Sequence, residues 1–296
     1  MYYSYNHKLI LVIILFALFA SIFSLQKLSL EYAEPFFLIG FRMTIAGFAL
    51  IIFEIARKNI INIINIININ FFFLIILLSI FNIYLNSIFE IWGLDNMTSS
   101  KACMLYSLSP FITVLFSFFL LKEKLNIKKI LGMLIGFFGL IPLTFYKTYK
   151  ELLVRSIFSF SLSEMSLIAA VFCSVIGWII LKKILNNGCS FIFANGLSMF
   201  IGGILTLMHS FIFGERWEPF PIKNTYSFII YTIITCIISN FTCYNLFGYL
   251  LKYFSATFMT FSGLMTPFFA SIFGYIFLKE KLSLVFFFSL SLFFFG

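Results

Sequence analysis

Stretches of roughly 20 consecutive apolar residues follow one another along this chain, and each can cross about 30 Å of hydrocarbon as a helix. The stretches are continuously apolar and do not alternate, which favours helices over barrel strands. The chain is 62% hydrophobic and 10% charged, against about 25% charged in an ordinary globular chain. So little polar surface cannot cover a soluble ball of this size. The expected fold class is an all-α integral membrane protein with ten spans, over about 9–26, 35–56, 71–92, 98–121, 127–146, 163–184, 189–212, 225–248, 255–278 and 282–296.

The spans fall into two sets. Ser109–Leu125, an apolar run with a proline at its start and Lys122-Glu123-Lys124-Leu125 at its end, recurs at Thr266–Leu282 with Pro267 and Lys279-Glu280-Lys281-Leu282. The offset is 157 residues without a gap, and 11 of the 31 pairs from Ser109–Gly139 onto Thr266–Gly296 are identical. The boundaries expected are a first five-helix repeat over 1–147, a connecting loop over 148–162 and a second five-helix repeat over 163–296. Because five is odd, the second set enters the membrane in the opposite sense. That gives a 5+5 inverted repeat, the plan of many secondary transporters. The last span has only about 15 residues before Gly296, roughly 22 Å at 1.5 Å per residue. Truncation of the given chain is the preferred reading, with a short helix that thins the bilayer as the alternative.

Net charge is +9, but the lysines sit in short clusters beside apolar runs, as loop ends at a membrane surface do. No basic domain stands apart to bind nucleic acid. With the N-terminus inside, ten Lys/Arg fall on cytoplasmic segments and eight outside, which favours that orientation by a thin margin. The five cysteines, Cys103, Cys173, Cys189, Cys236 and Cys243, lack metal or disulfide spacing and read as small packing residues. The run over 59–70, built from Asn and Ile, is a linker between spans. With the abundance of Phe, it reads as drift under AT-rich codon pressure in a bacterium with a reduced genome.

An ionisable group inside a span costs several kcal/mol and marks a functional site by default. Arg42, Glu90 and Lys101 are such groups, expected toward one side of the first half. The alternatives are an Arg42–Glu90 or Lys101–Glu90 pair that ties helices together, or interfacial snorkelling. Ser79, Asn82, Asn86 and Glu90 recur at helical spacing and share one face of the third span. That stripe is either a wall facing water or ligand, or interhelical hydrogen-bond glue worth about 0.6–2 kcal/mol per contact. The eighth span offers Ser239, Asn240, Cys243 and Tyr244 at a similar level. Pro110 and Pro267 each remove a backbone donor and are candidate kinks, or simply sit where neighbours satisfy the freed carbonyl. Tyr106, one turn before Pro110, is placed to stack on a planar ligand. Trp92 and Trp217 read as interface anchors, Trp178 as packing and His209 as interfacial. No phosphate loop and no His-Glu-x-x-His helix occurs, so neither ATP hydrolysis nor zinc-dependent hydrolysis is expected, and no metal or cofactor is implied.

Taken together, several blocks resemble the drug/metabolite transporter superfamily, in its ten-helix branch of paired EamA domains. They are Pro35 with Arg42, Ser109-Pro110 with Lys122–Leu125, Gly132, Gly136 and Gly139, and Thr266-Pro267 with Lys279–Leu282. The second half departs from the pattern, with Leu197 near the place of an Arg42 equivalent. The resemblance implies both termini inside, a central cavity and alternating access. The run from Trp92 to Pro110, with Met97-Thr98-Ser99, Lys101 and Tyr106, is similar to a branch that chlamydia-like intracellular bacteria use to exchange S-adenosylmethionine for S-adenosylhomocysteine. Such a ligand asks for a cation for its carboxylate (Arg42 or Lys101), an acid for its amine or sulfonium (Glu90) and aromatic rings for adenine. The substrate-binding set expected is Arg42, Asn82, Asn86, Glu90, Lys101, Tyr106, Ser239, Asn240 and Tyr244. The protein so expected is a secondary transporter and not an enzyme. It would sit in a bacterial inner membrane as a monomer or weak homodimer, with a small metabolite and the lipid bilayer as partners. The alternatives are an exporter of amino acids or drugs and, from another class, a non-transporting assembly subunit or lipid-handling protein.

Overall fold

Pro35, which has no N–H to lose, opens a helix after an extended Glu34, and Ser161 with Glu164 closes a reciprocal capping box at the start of another. Such local signals mark out the elements of the computed structural model, which describes residues 2–57, 69–96, 99–121, 161–213 and 215–278 with isolated positions between 131 and 138. In chain order these are α1 (Tyr2–Ser29), α2 (Pro35–Ala56), α3 (Ile69–Asp95), α4 (Ser99–Tyr106) and α5 (Ser109–Leu121). After them come α6 (Leu162–Asn186), α7 (Phe191–Ile212), α8 (Thr225–Leu251), α9 (Ala256–Ser262) and α10 (Thr266–Leu278). Six of them, α1, α2, α3, α6, α7 and α8, are long and apolar enough to cross a membrane. Among the described residues the rest is turns and one isolated bridge between Ala33 and Ile222. The expected span over 127–146, a few isolated positions apart, the span over 282–296, both Lys-Glu-Lys-Leu blocks and most of the connecting loop lie outside the described residues.

The chain is an all-helical, multi-pass membrane protein. Large apolar side chains such as Phe72, Phe73, Phe119 and Phe211 are exposed around the bundle. Lipid tolerates that, because helices satisfy their own backbone hydrogen bonds.

Glycines let α2 and α7 lie backbone against backbone. A Cβ on Gly47 would stand 2.3 Å from Phe200 N and 2.7 Å from Gly196 O, and one on Gly203 would stand 2.5 Å from Thr44 N. Gly40 meets Leu207, so residue numbers rise along one helix as they fall along the other, and the pair is antiparallel. Small residues are what let membrane helices approach this closely. Within this pair Ser198 holds the place in α7 that Arg42 holds in α2, eighth in each 22-residue helix.

The 157-residue offset reappears in the backbone. A wide π turn occupies Ser79–Leu85 in α3 and Cys236–Cys243 in α8, starting at equivalent positions. Lysines near the ends of α1 and α6 repeat another device. Lys27 donates to Leu94 O at 2.8 Å and Asp95 O at 2.6 Å, while Lys182 donates to Leu251 O and Phe254 O. Leu94 and Leu251 are again 157 apart, and a cation there satisfies the open carbonyls of a helix C-terminus.

At one end of the bundle the turn after α1 is clasped by the segment before α8. Lys223 N donates to Tyr32 O at 2.8 Å and Glu34 N to Pro221 O at 2.9 Å. Glu215 accepts from the N–H groups of Phe36 at 2.7 Å and Phe37 at 2.9 Å, capping α2 with a carboxylate from beyond α7.

Candidate functional site

A cavity opens between α1, α2, α3, α4, α6, α8 and the corner joining α9 to α10, with an empty space of about 980 Å³ including its mouth. Its lining holds two groups of residues. Arg42, Glu90, Asn86, Tyr106 and Gln26, all from the first half of the chain, make a charged and polar group. Phe16, Phe19, Trp178, Tyr244 and Phe247 make an aromatic one.

The polar side chains are joined in a chain. The Gln26 amide, oriented so that its oxygen meets the cation and its nitrogen the carboxylate, accepts from Arg42 Nη2 at 3.1 Å and donates to Glu90 Oε1 at 3.1 Å. Tyr106 donates to Glu90 Oε2 at 2.7 Å and approaches Asn86 Oδ1 at 3.1 Å, with Asn86 Nδ2 a longer 3.5 Å from the same carboxylate oxygen. Arg42 is 1% exposed, yet its Nε and Nη1 have no hydrogen-bond partner among the described residues. A buried guanidinium with spare donors is an unsatisfied binding capacity, since each such group normally finds a partner. In the aromatic group Trp178 stacks on Phe247 with centroids 4.0 Å apart, and Phe16 and Phe19 meet the Phe247 ring edge-on at 6.4 and 6.3 Å.

The residues expected at the site from sequence separate into three groups. Arg42, Asn86, Glu90, Tyr106, Ser239 and Tyr244 are brought together on the cavity wall. Asn82 and Asn240 are not. Asn82 packs its side chain against Gly177, where a Cβ would stand 2.4 Å away, and both its amide atoms are buried with no hydrogen-bond partner among the described residues. Asn240 Nδ2 points at Met43 Sδ, 2.8 Å away. The wide turn at Ser79–Leu85 explains the parting of the third-span stripe. Its i→i+5 bonding shifts the helical phase, so Asn82 turns to α6 while Asn86 and Glu90 face the cavity. Lys101 stands in the first turn of α4, and its side chain lies outside the described residues.

Pro110 and Pro267 each occupy the second position of a helix that restarts after an interruption. Residues 107–108 form a turn between α4 and α5, and Gly263–Met265 form a 3₁₀ turn between α9 and α10. Both breaks lie beside the cavity, where Ser109 and Thr266 are lining residues at equivalent positions.

The pattern of the EamA-like transporter family matches this chain twice, over residues 7–145 and 161–296. The chain belongs to that family. Relatives of this EamA-family transporter include a protein of Chlamydia trachomatis named S-adenosylmethionine/S-adenosylhomocysteine transporter. It is 34% identical over 267 residues, 89% of this chain and 80% of the relative. One of Chlamydia muridarum with the same name is also 34% identical, over 89% of this chain and 82% of its own length. A solved crystal structure superposes with a TM-score of 0.74, covering 97% of this chain and 95% of the other at 14% identity, and shares the fold.

Sequence reasoning about this EamA-family transporter overlooked Gln26 and the ring pair Trp178–Phe247. Hydropathy ends the first span at Gln26, but α1 runs on to Ser29 and places it inside the bundle, 4% exposed. A polar residue followed by one more apolar turn was the available signal. Trp178 packs as expected, but its packing partner is a cavity wall.

Proposed function

We propose that this protein exchanges S-adenosylmethionine for S-adenosylhomocysteine across a bacterial inner membrane, by alternating access through ten helices arranged as a 5+5 inverted repeat. The observation that carries the reading is the divided cavity. A buried cation with spare donors and a carboxylate stand together in one group of its lining, and aromatic rings make the other. A ligand with an amino-acid head and an adenine body asks for both, and so, on the same reading, does the sulfonium that rings attract by cation–π contact. The names of the chlamydial relatives support the same substrate pair. The inverted repeat is supported by the antiparallel α2–α7 pair and by π turns, lysine caps and helix breaks that recur about 157 residues on. Arg42 is assigned to the ligand carboxylate, Glu90 with Tyr106 and Asn86 to the cationic end, and Tyr244 with Ser239 to the adenosyl side. Lys101, Asn82 and Asn240 act as supporting polar groups, and Pro110 and Pro267 mark the joints about which the fourth and ninth spans rock.

Counterflow tests this directly. Proteoliposomes loaded with S-adenosylhomocysteine take up labelled S-adenosylmethionine faster than liposomes without it, and excess free L-methionine does not compete. Uptake indifferent to internal S-adenosylhomocysteine, or competed equally by free amino acids, would replace this reading with that of an amino-acid exporter.

A further inference from the structure

We infer that the side-chain amide of Gln26 stands in for the head of the substrate, and that the cavity therefore selects ligands ending in an α-amino acid. The inference rests on the divided cavity and narrows the substrate class proposed for it. Arg42 and Glu90 carry opposite charges, and Gln26 stands between them. Its oxygen takes a proton donor of Arg42 and its nitrogen gives one to Glu90, both at 3.1 Å.

The order of groups matters. Standard bond lengths put the oxygen and nitrogen of a primary amide roughly 2.2 Å apart, and the carboxylate oxygen and ammonium nitrogen of an α-amino acid about 2.7 Å apart. The amide thus offers an acceptor to the cation and a donor to the anion in nearly the geometry of the zwitterion, but without charge. A zwitterion in the same seats makes charge-assisted bonds, roughly twice as strong as neutral ones. It also has a second carboxylate oxygen for Arg42, whose Nε and Nη1 lack partners among the described residues. Tyr106 and Asn86 already hold Glu90 Oε2, which leaves Oε1, the atom Gln26 uses, to receive an ammonium group. The backbone beside Gln26 is pinned, because Lys27 is tied to Leu94 and Asp95 at the end of α3. Displacement is therefore a swing of one side chain. After release the amide returns to the same two partners.

The test is ligand binding to the purified full-length protein, read by calorimetry and thermal shift. The probes are S-adenosylhomocysteine, 5′-methylthioadenosine (the same adenosyl thioether without the amino-acid head) and L-methionine. In wild type, loss of the head weakens binding about a hundredfold, equivalent to about 2.8 kcal/mol. Gln26→Ala tightens S-adenosylhomocysteine several-fold, because nothing has to be displaced, and leaves 5′-methylthioadenosine unchanged. Gln26→Asn, too short to bridge both groups, behaves likewise and serves if the alanine variant does not fold. Equal binding of the headless probe by wild type overturns the inference while leaving adenosyl recognition intact, and so does weakened S-adenosylhomocysteine binding in the Gln26 variants. If wild type binds L-methionine and related α-amino acids but neither adenosyl ligand, the proposed exchange falls and the Gln26 inference stands.

Discussion

Glu90 and Phe247 stand 157 residues apart at equivalent places in α3 and α8, and both face the cavity, one with a carboxylate and the other with a ring. Tyr106 and Gly263 repeat the contrast at the same offset. The halves share a backbone plan, yet at these two positions the first supplies a carboxylate and a phenol where the second supplies a ring and a glycine. The lining of the cavity is therefore not symmetric between the halves.

Removing the charge of Glu90 while keeping its shape separates binding from assembly. Glu90→Gln still accepts from Tyr106, so its melting temperature stays close to wild type. Hydrogen bonds to charged groups are worth about 1.5–3 kcal/mol, so exchange falls about tenfold or more. Arg42→Ala, which removes the spare donors, loses at least as much exchange. Counterflow normalised to protein in the membrane fraction checks both. A parallel fall in inserted protein would instead mark the pair as a helix tie.

Trp178 tests the aromatic group. Its stack on Phe247 at 4.0 Å is worth about 0.5–1.5 kcal/mol beyond area burial, and Trp178→Ala also opens the wall. Affinity for S-adenosylhomocysteine falls about tenfold in Trp178→Ala, whereas Trp178→Phe retains most of it. Calorimetric titration of the two variants makes the comparison, and equal loss in both would mean the indole is used for more than its ring face.

Much of the fold was legible because span length and the 157-residue repeat are properties of the chain order. The described helices fall within a few residues of the runs read from hydropathy, and the break before Pro110 recurs before Pro267. The site was legible only in part. Arg42, Glu90 and Tyr106 stood out because polar groups are costly in lipid. Asn82 and Asn240 stood out for the same reason, but the π turns change the helical phase, and a regular 3.6-residue wheel cannot show that. Gln26 was hidden by its neighbour Lys27, which made the pair look like the end of a span. The glycine contact of α2 with α7 was hidden too, since only the assembled pair reveals which glycines touch backbone.

That contact predicts a graded response to substitution. A Cβ at Gly47 or Gly203 meets backbone atoms at 2.3 and 2.5 Å, and backbone cannot rotate out of the way. Gly47→Ala and Gly203→Ala should each cost about 1–3 kcal/mol through overpacking. At Gly263 the nearest atom is a Phe16 ring carbon at 3.3 Å, which a small ring movement accommodates, so Gly263→Ala should melt near wild type. Thermal denaturation in one detergent ranks the three, and a Gly263 variant as unstable as the others would contradict the packing.

Glu215 supplies a pH dependence whose sign can be worked out. Burial pushes its carboxyl above the ordinary value of 4.5, against the opposing pull of the Ser210 hydroxyl and the Phe36 and Phe37 N–H groups. The folded chain therefore holds this proton more tightly than the unfolded chain does. By linkage, the stabilisation is fully present below the ordinary value and is lost as pH rises through the raised one. Gln at this position keeps a neutral acceptor for the α2 N-terminus and cannot titrate. The melting temperature of wild type minus that of Glu215→Gln should therefore fall as pH is raised from about 4.5 toward neutrality and then level off. A difference that grows with pH would show that the capping N–H groups outweigh burial, and that the carboxylate is the form the clasp is built to hold.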